Sequence, residues 1–149
     1  LQNPAESERL GRDQQARREL AREKRERGRA LLDEGVPLLE RGLALQPGND
    51  SGRHALGNAY LRLNRPLDAE RMYRECIAIE QGKREGARNP TVLVNYASML
   101  RFQGRSEEAM PLIREAIRLR PRMLAVRQAA EMFGLPVPDP HLTTPPPAP

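Results

Sequence analysis

The sequence predicts an all-α fold, an α-solenoid of helix-turn-helix repeats, on three observations. One arrangement of large and small residues occurs twice. It reads Leu56, Gly57, Tyr60, Ala69, Tyr73, Cys76, Ile77 and Ile79 first, then Tyr96, Ala97, Leu100, Gly104, Ala109, Ile113, Ala116, Ile117, Leu119 and Pro121. Upstream, Leu31, Leu32, Val36, Leu38, Leu39, Leu43 and Leu45 recur at helical spacing. Finally, with 38% hydrophobic and 30% charged residues and no Trp among 149, the chain is too lean for a thick globular core. It has enough for the thin layers of a repeat stack.

The N-terminal segment, residues 1–15, is expected to be an exposed helix that continues as a long charged helix to about residue 30. From Arg9 to Arg29 nine basic and four acidic side chains give +5, which equals the net charge of the whole chain. Opposite charges recur four apart at Glu8/Arg12, Asp13/Arg17, Arg22/Glu26 and Glu23/Arg27, each pair supporting a helix by about 0.2–0.5 kcal/mol. Apolar positions are sparse there, so the helix is either solvated or an arm for an acidic surface. Residues 35–47 align without a gap to 109–121, which sets residues 16–49 as a degenerate first repeat. Its second helix is well marked, whereas Arg22, Glu23 and Glu26 stand where the first helix should carry large, small and aromatic residues.

The second repeat, 50–89, opens on the turn Gly48-Asn49-Asp50-Ser51, which can cap a helix over 51–63. Asn64 is expected to cap the next, over 67–79, with Pro66 near its first turn. The first two repeats are 34 residues apart and the next two 40, so residues 80–89 carry an insertion that either extends the helix or forms a longer loop. Asn89-Pro90 opens the third repeat, 90–123, with helices over 91–103 and 107–120 and Ser106 as a cap. A last helix within 122–134 puts Met123, Val126, Ala130 and Phe133 on one face, as a capping helix does, and ends at Gly134. Residues 135–149 hold seven prolines and read as a disordered, extended tail.

The doubled pattern of large and small residues resembles that of the tetratricopeptide repeat, two antiparallel helices in about 34 residues. The resemblance implies a right-handed solenoid over residues 16–134 whose first helices line a concave groove that binds partner proteins. Carried over residue by residue, the groove positions are Ser51, His54, Ala55, Asn58, Leu61 and Arg62, then Thr91, Val94, Asn95, Ser98, Arg101 and Phe102. The expected partner-binding set is His54, Asn58, Arg62, Asn95, Ser98, Arg101 and Phe102. Asn58 and Asn95 match asparagines with which many such domains hold the backbone of an extended peptide. His54 stands where the domains that clamp a terminal carboxylate carry a lysine, and Ala125 and Ala129 replace their paired basic residues, so that version is not implied.

Catalytic chemistry finds little support. His54 and His141 are the only histidines and Cys76 the only cysteine. Neither a phosphate-binding glycine loop, a nucleophile elbow nor metal-ligand spacing is present. The chain is therefore not expected to be an enzyme or to hold a cofactor or metal. No apolar run reaches the roughly 18 residues needed for a membrane span. The expected function is a protein-interaction module, scaffold or assembly subunit. It would take a partner's acidic or extended segment through the groove, the Arg-rich helix, or both. The alternative is a binder of nucleic acid or another acidic polymer through that helix; interleaved acids and the lack of stacking aromatics there speak against it. Arginine supplies 23 of the 25 basic residues, with Lys24 and Lys83 the exceptions, which points to a GC-rich bacterial genome. The start at Leu1 leans toward an exported, periplasmic protein with a processed end, and otherwise toward a cytoplasmic one.

Overall fold

A computed structural model describes residues 4–138. Among them are six α-helices and no strand: α1 (Pro4–Leu45), α2 (Asp50–Arg62), α3 (Pro66–Gln81), α4 (Thr91–Phe102), α5 (Ser106–Leu119) and α6 (Leu124–Met132). The helices from α2 onward begin and end within two residues of their expected positions. Two hairpins, α2 with α3 and α4 with α5, stack on one another, and α6 packs on α4 and α5.

What ends each first helix is a residue at positive φ: Asn64 (59°) after α2, Gly104 (78°) after α4 and Gly134 (63°) after α6. In each case two backbone bonds close the end in the same way. Asn64 N–H donates to Leu61 O and Arg65 N–H to Tyr60 O; Gly104 and Arg105 donate to Arg101 and Leu100; Gly134 and Leu135 donate to Glu131 and Ala130. This pattern satisfies carbonyls that the helix end would otherwise leave open and turns the chain back sharply. Asn64 is therefore a C-terminal stop and not the N-cap it was expected to be, since a left-handed backbone there places it outside α3. Ser106 likewise lies inside α5 and makes no capping bond. Asn49 does cap α2, its Oδ1 accepting from Gly52 N at 2.8 Å.

The first repeat differs from expectation. α1 is one helix of 42 residues, about 63 Å long at 1.5 Å per residue, with no turn between residues 16 and 47. Two features of the sequence account for it: in the repeat register Ala30 stands where Asn64 and Gly104 stop their helices, alanine being the best helix former, and Arg22, Glu23 and Glu26 give the preceding stretch nothing to pack in a hairpin. Only the last third of α1 docks, with Val36 buried and Leu32 and Leu43 packed against the core, while residues 6–27 are exposed throughout.

The core runs through the hairpins as one cluster, centred on Leu56, Tyr73, Cys76, Leu100, Ile113 and Val126. Close helix approach depends on small residues: Ala69, Ala97, Ala109 and Ala116 are fully buried. A Cβ at Gly57 would lie 2.8 Å from Cε1 of the Tyr73 ring. The insertion lengthens α3 only to Gln81 and otherwise forms a loop with a short 3-10 turn at Glu85–Ala87. Asp50 and Glu80 both hold Lys83 Nζ, at 2.8 and 2.9 Å, and Glu80 also accepts from Asn89 N at 2.8 Å. Arg118 reaches Glu85 and Glu115 from α5. The tail is expected to be extended, with almost nothing that packs, yet Leu135 and Val137 pack on the core; residues 139–149 lie outside the described residues.

Two substitutions test this packing. Gly57→Ala meets a ring that is itself buried and hydrogen-bonded, and Ala109→Leu overfills a contact with no free space. Each is expected to cost about 1–3 kcal/mol, read as a lower midpoint in urea unfolding. An unchanged midpoint in either variant contradicts the helix contacts described.

Candidate functional site

α2 and α4 lie side by side and bring together the polar residues that the sequence placed on their exposed faces. Asn95 Nδ2 donates to His54 Nε2 at 2.8 Å and to Asn58 Oδ1 at 3.1 Å. The buried Tyr73 hydroxyl donates to the same Asn58 oxygen at 2.7 Å. Burial pushes the Tyr73 hydroxyl up to about 12, so it remains a donor at neutral pH. The half-buried asparagines therefore spend half of their capacity on one another and on the scaffold. Among the described residues, Asn58 Nδ2 and Asn95 Oδ1 make no hydrogen bond, which leaves one amide donor group and one acceptor at adjacent points of the face.

One turn further along both helices the face becomes apolar. A groove of about 500 Å³ is lined by Leu61, Asn64, Pro66, Ser98, Met99, Phe102 and Gln103. Phe102 is 93% exposed. Ser98 spends its hydroxyl on Val94 O of its own helix at 2.8 Å, so it contributes shape. Arg62 is exposed on α2, while the Arg101 guanidinium sits 5.8 Å from the centroid of the Phe133 ring. The seven expected residues thus fall into a polar cluster of His54, Asn58 and Asn95, a groove with Ser98 and Phe102, and two arginines beside them.

Other groups hold this face in place. Glu70 accepts from Tyr96 at 2.9 Å and from Arg105 at 2.9 and 3.1 Å, and pairs with Arg74 at 2.7 Å, joining α3 to α4 and to the turn before α5. Arg105, first, and then Tyr96 hold the Glu70 carboxyl below the usual range. The Asp50 carboxyl is held below the usual carboxylate range in its cluster with Glu80 and Lys83, whose ammonium donates to both acids. Burial pushes the Cys76 thiol up to about 11, which disfavours the reactive thiolate, and its Sγ donates to Asp50 O at 3.2 Å. Tyr73, Glu70 and the groove residues Pro66, Met99 and Gln103 were missed by the sequence reading. Tyr73 alone left a signal, as the large residue of its helix between the small contacts Ala69 and Cys76, about one turn from each.

A stack of helical hairpins that presents an open, polar-then-apolar face on its first helices defines an α-solenoid recognition scaffold. Two stretches, residues 51–81 and 90–123, each match the tetratricopeptide repeat, so the chain carries two repeats of that family. No curated protein sequence matches it. Repeats of this kind generally mediate protein–protein interaction or scaffolding and are generally non-catalytic. Among the described residues no helix is long and apolar enough to cross a membrane.

The Asn95 bond makes a pH prediction. Asn95 Nδ2 can only donate, so His54 Nε2 must be the unprotonated nitrogen. Burial, first, lowers the His54 pKa from 6.5, against the pull of Glu80 and Asp50. A depressed folded pKa means that the stability from neutral His54 is present above about 6.5 and is lost as pH falls through the folded value. An NMR titration should show His54 titrating below 6.5 with a matching shift of the Asn95 side-chain amide. A His54 midpoint above 6.5 contradicts the network.

Proposed function

We propose that this chain is a protein-interaction module that takes an extended segment of a partner along the α2 and α4 face. Asn58 Nδ2 donates to a backbone carbonyl of that segment and Asn95 Oδ1 accepts from a backbone N–H. An apolar side chain of the same segment enters the groove between Leu61 and Phe102. The observation that carries this reading is the pair of unspent amide atoms beside an open apolar groove: one residue of an extended chain presents the complementary N–H donor and C=O acceptor on the same edge. Arg62 and Arg101 flank the face, so an acidic segment is favoured. The exposed arm of α1, with its excess of basic side chains, supplies a second contact for an acidic protein surface. Its interleaved ion pairs, such as Arg22 with Glu26 at 2.7 Å, suit a protein better than a nucleic-acid backbone.

Peptides selected from a displayed random library on the folded protein are expected to be acidic with one large apolar residue. Asn95→Ala should weaken such a peptide by about 0.5–1.5 kcal/mol, or about 2- to 13-fold, in fluorescence polarisation. At position 58 the informative change is Asn58→Asp, which keeps the oxygen that Tyr73 needs; alanine would strand a buried hydroxyl. Peptides that bind equally well to both variants place recognition elsewhere. Binding of single-stranded or duplex nucleic acid that collapses with salt would favour an acidic-polymer function.

A further inference from the structure

We propose that a second face of α1 pairs two copies of this chain, antiparallel, about a two-fold axis near Leu38. In the complete repeats the second helix turns Ala69, Tyr73 and Cys76, or Ala109, Ile113 and Ala116, onto its own first helix, and all six are 0–2% exposed. The same register in α1 gives Gly35, Leu39 and Gly42, and there no first helix covers them. A Cβ built at Gly35 or Gly42 meets nothing within 4 Å. Beside them Leu31, Leu38, Leu39 and Leu45 are 62, 65, 37 and 84% exposed, equivalent to about two and a half leucines left in water on one face.

This chain's own segment 16–28 does not fill the slot. α1 runs straight through Ala30, so the segment cannot fold back, and it carries Arg22, Glu23 and Glu26 where α2 has Leu56, Gly57 and Tyr60. A second copy fits for three reasons. The stripe Leu31, Gly35, Leu38, Gly42, Leu45 has nearly the same spacing from either end. Setting Leu38 against Leu39 of an antiparallel copy therefore sets Gly35 against Gly42, and the leucines close over both ends, as an isologous contact requires. Glycine inside a helix is costlier than alanine, and open space gives no steric reason for it; close approach of a second helix does. Antiparallel pairing also sends the two arms of net +5 to opposite ends, where they do not repel. The patch is small for a protein interface, so the pair is a reversible one.

Sedimentation equilibrium of the full chain from about 1 to about 100 μM is expected to show the mass rising from one chain toward two. Leu38→Glu and Leu38→Arg should each remain a single chain, with melting curves at low concentration unchanged because Leu38 is exposed. An equimolar mixture of these two variants should pair again, since position 38 lies by the axis. The proposal is overturned if the natural chain stays monomeric throughout, if Leu38→Glu still pairs, or if the mixture does not.

Discussion

A residue held at positive φ after each first helix is the constraint on which the rest of this structure depends. Asn64, Gly104 and Gly134 reverse the chain within one residue, and the reversal is what brings Ala69 and Ala109 against the preceding helix. Where the stop is missing, at Ala30, no hairpin forms. The chain instead builds a helix of 42 residues whose first two thirds project from the body. One backbone requirement, met three times and omitted once, thus separates the stacked part of the molecule from its arm. It also leaves the Gly35 and Gly42 face without the helix that such a face covers elsewhere in the stack.

Polar side chains then fix how the hairpins sit on one another. Exposed pairs such as Arg22 with Glu26 contribute little, about 0–1 kcal/mol. Glu70 is different in kind, since it is largely buried and joins Arg74, Tyr96 and Arg105 from three elements. Removing any one partner would leave a carboxylate short of donors in a low-dielectric setting. The cluster of Asp50, Glu80 and Lys83 does the same for the insertion, tying it to the start of α2. The inserted loop is consequently pinned to the stack on both sides.

The hairpins were legible in the sequence because their determinants are local and repeated: small residues at the contacts, large ones between them, a turn at fixed offset. The first repeat was not, because the large and small pattern of its second helix carries no information about whether a turn precedes it. At that point Ala30 replaces the helix stop, and Arg22, Glu23 and Glu26 leave the preceding stretch without residues that would pack a hairpin. For the site, the resemblance to the repeat family put Asn58 and Asn95 on the open faces of neighbouring helices. It could not show that Tyr73, 15 residues from Asn58, and His54, 41 from Asn95, draw on the same amides. The packing of Leu135 and Val137 was hidden by the prolines around them, whose abundance says nothing about what two intervening apolar side chains can touch.

Those internal bonds change what the face can offer a partner. A free asparagine amide can turn over and present donor or acceptor at will, and binding must then fix it at an entropic cost. Here Tyr73 holds the Asn58 oxygen and His54 holds the Asn95 nitrogen, so Asn58 Nδ2 and Asn95 Oδ1 are oriented before a partner arrives. The arrangement rests on a neutral imidazole. Once His54 takes up a proton, its Nε2–H faces the Asn95 nitrogen, and two donors oppose each other. The contact can be restored only by turning the Asn95 amide over, which presents nitrogen to the partner in place of oxygen and to Asn58 an acceptor in place of a donor. Orientation of these amide atoms and the charge of His54 are therefore a single variable, and the burial that lowers the His54 pKa favours the setting in which Asn58 Nδ2 and Asn95 Oδ1 face outward.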